Sequence, residues 1–156
     1  MGANRIRIAK DKADLVQALV ASDSTTGPFQ TYADAIAFAA ALGAKRRKRS
    51  PLGEISKREP GAIALEVFVS RGTDRAIQLL AIAETKDIKI LSPTDENSEE
   101  QRIRIFEEYA NGGLEIIQKE LVGIVDYTAT LLLLLSSERN KQEQVEGEFD
   151  LSRFLT

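Results

Sequence analysis

The chain has 156 residues, 43% of them hydrophobic and 29% charged, enough for one sizeable core, and it contains no Cys and no His. Those two absences exclude disulfides, thiolate nucleophiles, Cys-ligated iron–sulfur clusters, zinc sites built on thiolate or imidazole, and any triad that shuttles a proton through imidazole. The formal net charge of -3 is unevenly spread: residues 1–58 carry 11 Lys and Arg against 5 Asp and Glu (+6), residues 59–93 sum to -1, and residues 94–156 carry 6 against 14 (-8).

In chain order, "NRIRIAKD" alternates Arg5 and Arg7 on one face with Ile6 and Ile8 on the other, the period-two mark of a short half-buried strand. Leu15, Val16, Leu19 and Val20 then recur at helical spacing, until the polar loop "SDSTTGP" at residues 22–28 ends the pattern. A second helix opens at Thr31, an N-cap with Asp34 at the third position. Tyr32, Ile36, Ala39, Ala40 and Gly43 trace its stripe, and the density of Ala lets a neighbouring backbone come close. This helix must stop before Pro51, because the residue preceding proline is pushed out of the α region. Residues 51–61 read as a loop bracketed by Pro51 and by Pro60 with Gly61.

Helical spacing resumes from Ile63 to Ala83, divided or bent at Gly72, with Leu65, Phe68, Val69, Ala76, Leu79, Leu80 and Ala83 expected in the core. "DIKILS" reads as a short strand or an extended edge. From Ser98 to Glu138 one apolar stripe runs through Ile103, Phe106, Ala110, Leu114, Ile117, Leu121, Ile124 and Thr128. Gly112 and Gly113 interrupt it, and two interior glycines cost about 2 kcal/mol relative to alanine, which predicts two helices or a kink there.

The expected fold class is therefore mainly α: a short N-terminal strand in a ribbon-helix-helix-like N-terminal part, followed by a helical bundle. A single helical domain is expected over 1–138, with a basic strand-helix-helix part at 1–50 and a helical part at 62–138. Residues 139–156 form an acidic C-terminal tail in which Phe149, Leu151, Phe154 and Leu155 are suited to dock on the domain or on a partner. The N-terminus lacks the apolar run of a secretory signal. The longest apolar stretch, Leu121 to Leu135, spans 15 residues and contains Asp126, too short and too polar to cross a bilayer. A cytoplasmic protein with no membrane contact is the expectation.

Five consecutive cations, Lys45, Arg46, Arg47, Lys48 and Arg49, close the second helix, with Lys57 and Arg58 soon after. The helix macrodipole favours cations at a C-terminus, yet five exceed what capping needs and match a surface that holds nucleic-acid phosphates. A basic end and an acidic end also attract one another, within one chain or between two copies. Arg5 and Arg7 share a strand face, and strand–helix–helix is the order of the ribbon-helix-helix DNA readers, whose strands pair between two subunits of a homodimer. Plain solvation is the other reading of that pair, and the basic block lies at the wrong end of the second helix for that fold. Glu99, Glu100, Glu107 and Glu108 read as a solvated helix face, because no further ligand completes a metal shell. No nucleotide-binding glycine motif occurs. Catalytic residues, metal and cofactors are all expected to be none.

The segments "RIRIAKDKADLVQALV", "GPFQTYADAIAFAAALGAKRRKRSPL", "LLAIAETKDIKIL" and "RIFEEYANGGLEI", covering most of residues 5–117, resemble the small bacterial family called DNA phosphorothioation-associated protein 4, or dnd system-associated protein 4. The C-terminal tail lies outside this resemblance. It implies a role in the system that replaces a non-bridging DNA phosphate oxygen with sulfur, or in the accompanying restriction machinery. Sulfur relay needs a persulfide or an iron–sulfur centre, and without cysteine this chain supplies neither. The expectation is a non-enzymatic accessory protein that contacts DNA through the basic block. The alternative is a protein–protein adaptor within that system, and a carboxylate-dependent nuclease is a distant third.

Overall fold

The structure, a computed structural model, describes residues 5–22 and 27–147, the side chains of 142–147 excepted. Phe149, Leu151, Phe154 and Leu155 lie outside the described residues. The alternation of the first segment is obeyed: β1 (Arg5–Ile6) and the residues after it bury Ile6 and Ile8 and leave Arg5 and Arg7 outside. The partner of β1 is β2 (Ile63–Ala64), antiparallel, with Arg5 opposite Ala64 and Ile6 opposite Ile63. This corrects the ribbon expected between two subunits. The chain supplies the second strand itself, and Ile6 and Ile8 are buried in its own core rather than in a dimer seam.

The rest is helical, as expected: α1 (Ala13–Leu19), α2 (Tyr32–Lys45), α3 (Leu65–Arg71), α4 (Asp74–Thr85), α5 (Glu96–Leu121) and α6 (Tyr127–Gly147). Thr31 caps α2, its hydroxyl accepting the Asp34 N–H at 3.1 Å. "DIKILS" is neither strand nor edge but a 3-10 turn at Ile88–Leu91, because the Asp87 carboxylate accepts the Lys89 N–H at 3.0 Å and draws the backbone into a turn.

The core is organised on the crossing of α2 and α5. The small residues of α2 meet Tyr109 and Gly113 of α5 here, and Gly112 meets the segment just after α2. A Cβ on Gly113 would lie 1.7 Å from the Ala39 carbonyl oxygen, one on Gly43 2.1 Å from that of Tyr109, and one on Gly112 2.0 Å from that of Lys48. The two glycines therefore do not split the helix: α5 runs unbroken for 26 residues, and their intrinsic cost is offset by the close approach they permit. The break falls further on, at Val122 to Asp126, where Gly123 takes φ +74° and the Asp126 carboxylate accepts the Ala129 N–H at 3.0 Å to start α6. Ile124 and Thr128, expected to extend the apolar stripe, are accordingly exposed.

Phe68 of α3 meets Phe106 of α5 edge to face, ring centroids 5.6 Å apart, which ties β2 and α3 to the crossing. Gly72, at φ +76°, ends α3 and resets the helical phase. Phe68 is buried as expected, and Leu65, Ala76 and Leu80 pack half-buried against the core. Val69, Leu79 and Ala83 are instead exposed, and Ile77 and Ala81 take the inward positions of α4. A stripe carried straight through Gly72 cannot foresee that shift. α6 returns toward α2, burying Leu131 and Leu134, and continues to Gly147. Among the described residues no helix is long and apolar enough to cross a membrane.

Candidate functional site

Only Lys45 of the basic block belongs to α2. Arg46 caps it, and the Arg47 N–H bonds to the Ala44 carbonyl at 3.1 Å while the Lys48 N–H bonds to that of Gly43 at 2.7 Å. This is the paired pattern of a Schellman turn, in which the left-handed position, usually glycine, is here Arg47 at φ +54°. The cations therefore do not surround one helical turn. The chain reverses, and the Ser50 N–H bonds the Glu108 carbonyl at 3.0 Å. The Asn111 side-chain amide holds the Ser50 and Pro51 carbonyls at 3.3 and 3.1 Å.

Reversal brings the block among carboxylates of three helices. Arg46 lies 2.6 Å from Glu138 of α6, whose backbone carbonyl also accepts from Lys45 Nζ at 3.5 Å. Lys48 is 3.1 Å from Glu115 of α5. Arg49 bridges Glu84 of α4 at 2.9 Å and Glu108 of α5 at 3.2 Å, with its guanidinium 6.0 Å from the centre of the Tyr109 ring. The Tyr109 hydroxyl donates to Glu84. Among the described residues, Arg47 and Lys57 have no carboxylate within ion-pair distance. Arg58 meets Asp14 at 2.6 Å on the open surface.

Arg5 is exposed on β1. Arg7 is engaged in the fold: its Nε and Nη2 donate to the two oxygens of Glu107 at 3.0 and 2.9 Å, and its backbone N–H adds a third bond at 2.6 Å. Both arginines therefore face outward, but Arg7 is also tied back to α5 through Glu107. Glu107, expected on a solvated face, is buried. Its place four residues after Ile103 and three before Ala110 puts it on the apolar stripe, a signal present in the sequence. The same holds for Glu138, four residues after Leu134. Glu84, Glu115 and Tyr109 carried no such signal, because only the reversal at Arg47 brings the block to them. Among the described residues, no group of three or more metal-ligating side chains is suited to hold an ion.

The pairing fixes the titration. The Tyr109 hydrogen bond and, against the opposing effect of burial, Arg49 hold the Glu84 carboxyl below the usual carboxylate range. Burial pushes Glu138 up, but the Arg46 hydrogen bond with the charges of Arg46, Lys141 and Lys45 outweighs it, so Glu138 also sits low. A carboxyl depressed in the folded state contributes stability above its unfolded value, about 4.3, and loses it as pH falls through the lower folded value. Replacing Glu138 by Gln should lower stability at pH 7 by about 1 kcal/mol and flatten the acid limb of the stability curve below about pH 5. Urea midpoints against pH check this; an acid limb superimposable on the parent's would remove Glu138 from the account.

These features define a class: a small, mainly helical protein whose basic block is folded against its own acidic helices. The chain belongs to the DNA sulphur modification system-associated protein 4 family, whose model matches residues 5–154. The match extends well past the segments quoted above, into the acidic C-terminal region. Comparison with curated proteins and with solved structures finds no match.

Proposed function

We propose that this protein is a non-catalytic adaptor of the DNA sulphur modification system, acting through protein–protein contact. The carrying observation is the run of large apolar side chains left open around the start of α6. Val122, Ile124, Val125, Leu132, Leu133 and Leu135 are exposed, Val125 to 98%. Three of them fall within residues 122–125 and three within 132–135, and exposed apolar side chains gathered in this way, rather than scattered singly, mark an interaction site. Beside it a groove of about 300 Å³ between α2 and α6, lined by Phe38, Ala41, Leu42 and Leu135 together with the charged Lys45, Glu138 and Arg139, is of a size to take an apolar anchor. The pairing of the basic block supports the same reading, since DNA phosphates would have to displace Glu84, Glu108, Glu115 and Glu138.

The test measures binding of the purified chain to each purified protein of the system and, separately, to duplex DNA across a salt series. The expected result is a complex with a system protein at physiological salt, lost when Val122, Ile124 and Val125 are all replaced by Ser. Duplex affinity should be weak and its salt slope near zero. Contact with DNA phosphates through Lys45 to Arg49, Lys57, Arg58, Arg5 and Arg7 is the second reading, favoured by Arg47 and Lys57, which have no carboxylate at ion-pair distance among the described residues. It predicts a slope that falls by about 0.9 for each cation removed, and that outcome would displace the adaptor reading.

A further inference from the structure

α6 is apolar on every side between Leu131 and Leu135. Leu131 and Leu134 are buried against the domain, while Leu132, Leu133 and Leu135 remain 59%, 72% and 47% exposed. A helix apolar all round is one that is covered all round. With 3.6 residues per turn, Ala129, Leu132, Leu133, Ser136 and Asn140 fall in one stripe opposite the face formed by Leu131, Leu134 and Glu138. That stripe holds no charged residue over three turns of a chain that is 29% charged, and charge depletion of this kind characterises the centre of an interface.

The occupant follows from symmetry. The order small, Leu, Leu, small at Ala129, Leu132, Leu133 and Ser136 reads the same in both directions about the point between the two leucines. We infer that α6 pairs antiparallel with α6 of a second copy, about a two-fold axis passing between Leu132 and Leu133. An isologous contact requires this self-complementarity. Leu132 and Leu133 then meet their own counterparts, Ala129 lies against Ser136, and the small residues let the helices approach closely. The two domains sit on the outer faces of the pair, clear of one another. A contact running from Asp126 to Arg139 is about 21 Å long, a small interface of the transient size class, so dimerisation in the micromolar range is expected.

The inference names a partner for the surface on which the adaptor reading rests, and the tests separate the two. Because the chain has no Cys of its own, introduced cysteines report the register. Ala129→Cys and Ser136→Cys chains, mixed under mild oxidation at about 50 μM, should give a disulfide heterodimer. Neither variant alone should cross-link to itself, since in the antiparallel pair its two copies are about 10 Å apart along the axis and a disulfide needs Cα atoms within about 7 Å. In sedimentation velocity the parent should shift from monomer to dimer between about 1 and 100 μM. Leu132→Ser/Leu133→Ser should stay monomeric with an unchanged helical circular dichroism spectrum, both residues being exposed. A parent monomeric at 100 μM overturns the inference even if a system protein binds these leucines, in which case the adaptor reading survives. Self-cross-linking of Ala129→Cys alone overturns it as well. A dimer of the stated register that binds no system protein leaves the inference standing and removes the adaptor reading.

Discussion

Gly113→Ala is expected to destabilise the protein by about 3 kcal/mol. The new methyl carbon would sit 1.7 Å from the Ala39 carbonyl oxygen and 2.5 Å from its carbonyl carbon. Both atoms belong to the backbone of α2, so no side chain can turn aside. The helices must part by more than an ångström along the crossing that organises the core, and overpacking of a rigid site costs about 1–3 kcal/mol or more. Opposing this, alanine gains about 1 kcal/mol of helix propensity over glycine. The steric effect dominates because the whole α2–α5 contact loosens together. In a chain of this length the loss corresponds to a fall in Tm on the order of 10 °C. Gly61→Ala is the control: the nearest atom to its new Cβ is the Arg58 carbonyl oxygen at 3.7 Å, an ordinary contact, and stability should change by less than about 0.5 kcal/mol. Thermal and urea unfolding of the two variants decide the matter, and a Gly113→Ala protein as stable as its parent would mean that the crossing is not rigid.

That crossing also shows what a sequence conceals. Helix propensity, a local quantity, assigned Gly112 and Gly113 to a break, and the density of Ala in α2 assigned that helix to close approach. The two clues concern the same contact, and neither alone reveals it. Local signals read well: the Thr31 cap, the division at Gly72 and the alternation of Arg5, Ile6, Arg7 and Ile8 all appear where the pattern placed them. Contacts between distant segments did not. The sequence shows five cations beside one another, but their environment depends on a left-handed turn at Arg47 that no glycine announces. Once the chain reverses there, carboxylates 35 to 92 residues away become neighbours. The attraction between the basic and acidic halves, one of the readings the charge distribution allowed, is realised within the chain by these pairs.

Arg7→Ala distinguishes an arginine that reads DNA from one that holds the fold. Glu107 is 2% exposed and accepts three bonds from Arg7, two from the guanidinium. Removing the guanidinium leaves a buried carboxylate with one backbone donor. Breaking a fully buried pair costs about 3–5 kcal/mol; the Arg7 side chain is half-exposed and water can replace part of it, so about 2–3 kcal/mol is expected. Arg7→Lys should recover only part of this, because a single ammonium cannot reproduce the two-pronged contact. The double variant Arg7→Met/Glu107→Met should be more stable than Arg7→Ala, since no charge is then left buried without its partner. Urea unfolding of these four proteins, together with the single variants Arg7→Met and Glu107→Met that close a double-mutant cycle, measures the coupling. If Arg7→Ala unfolds at the parent's midpoint, the Arg7–Glu107 pair is not what fastens β1 to α5.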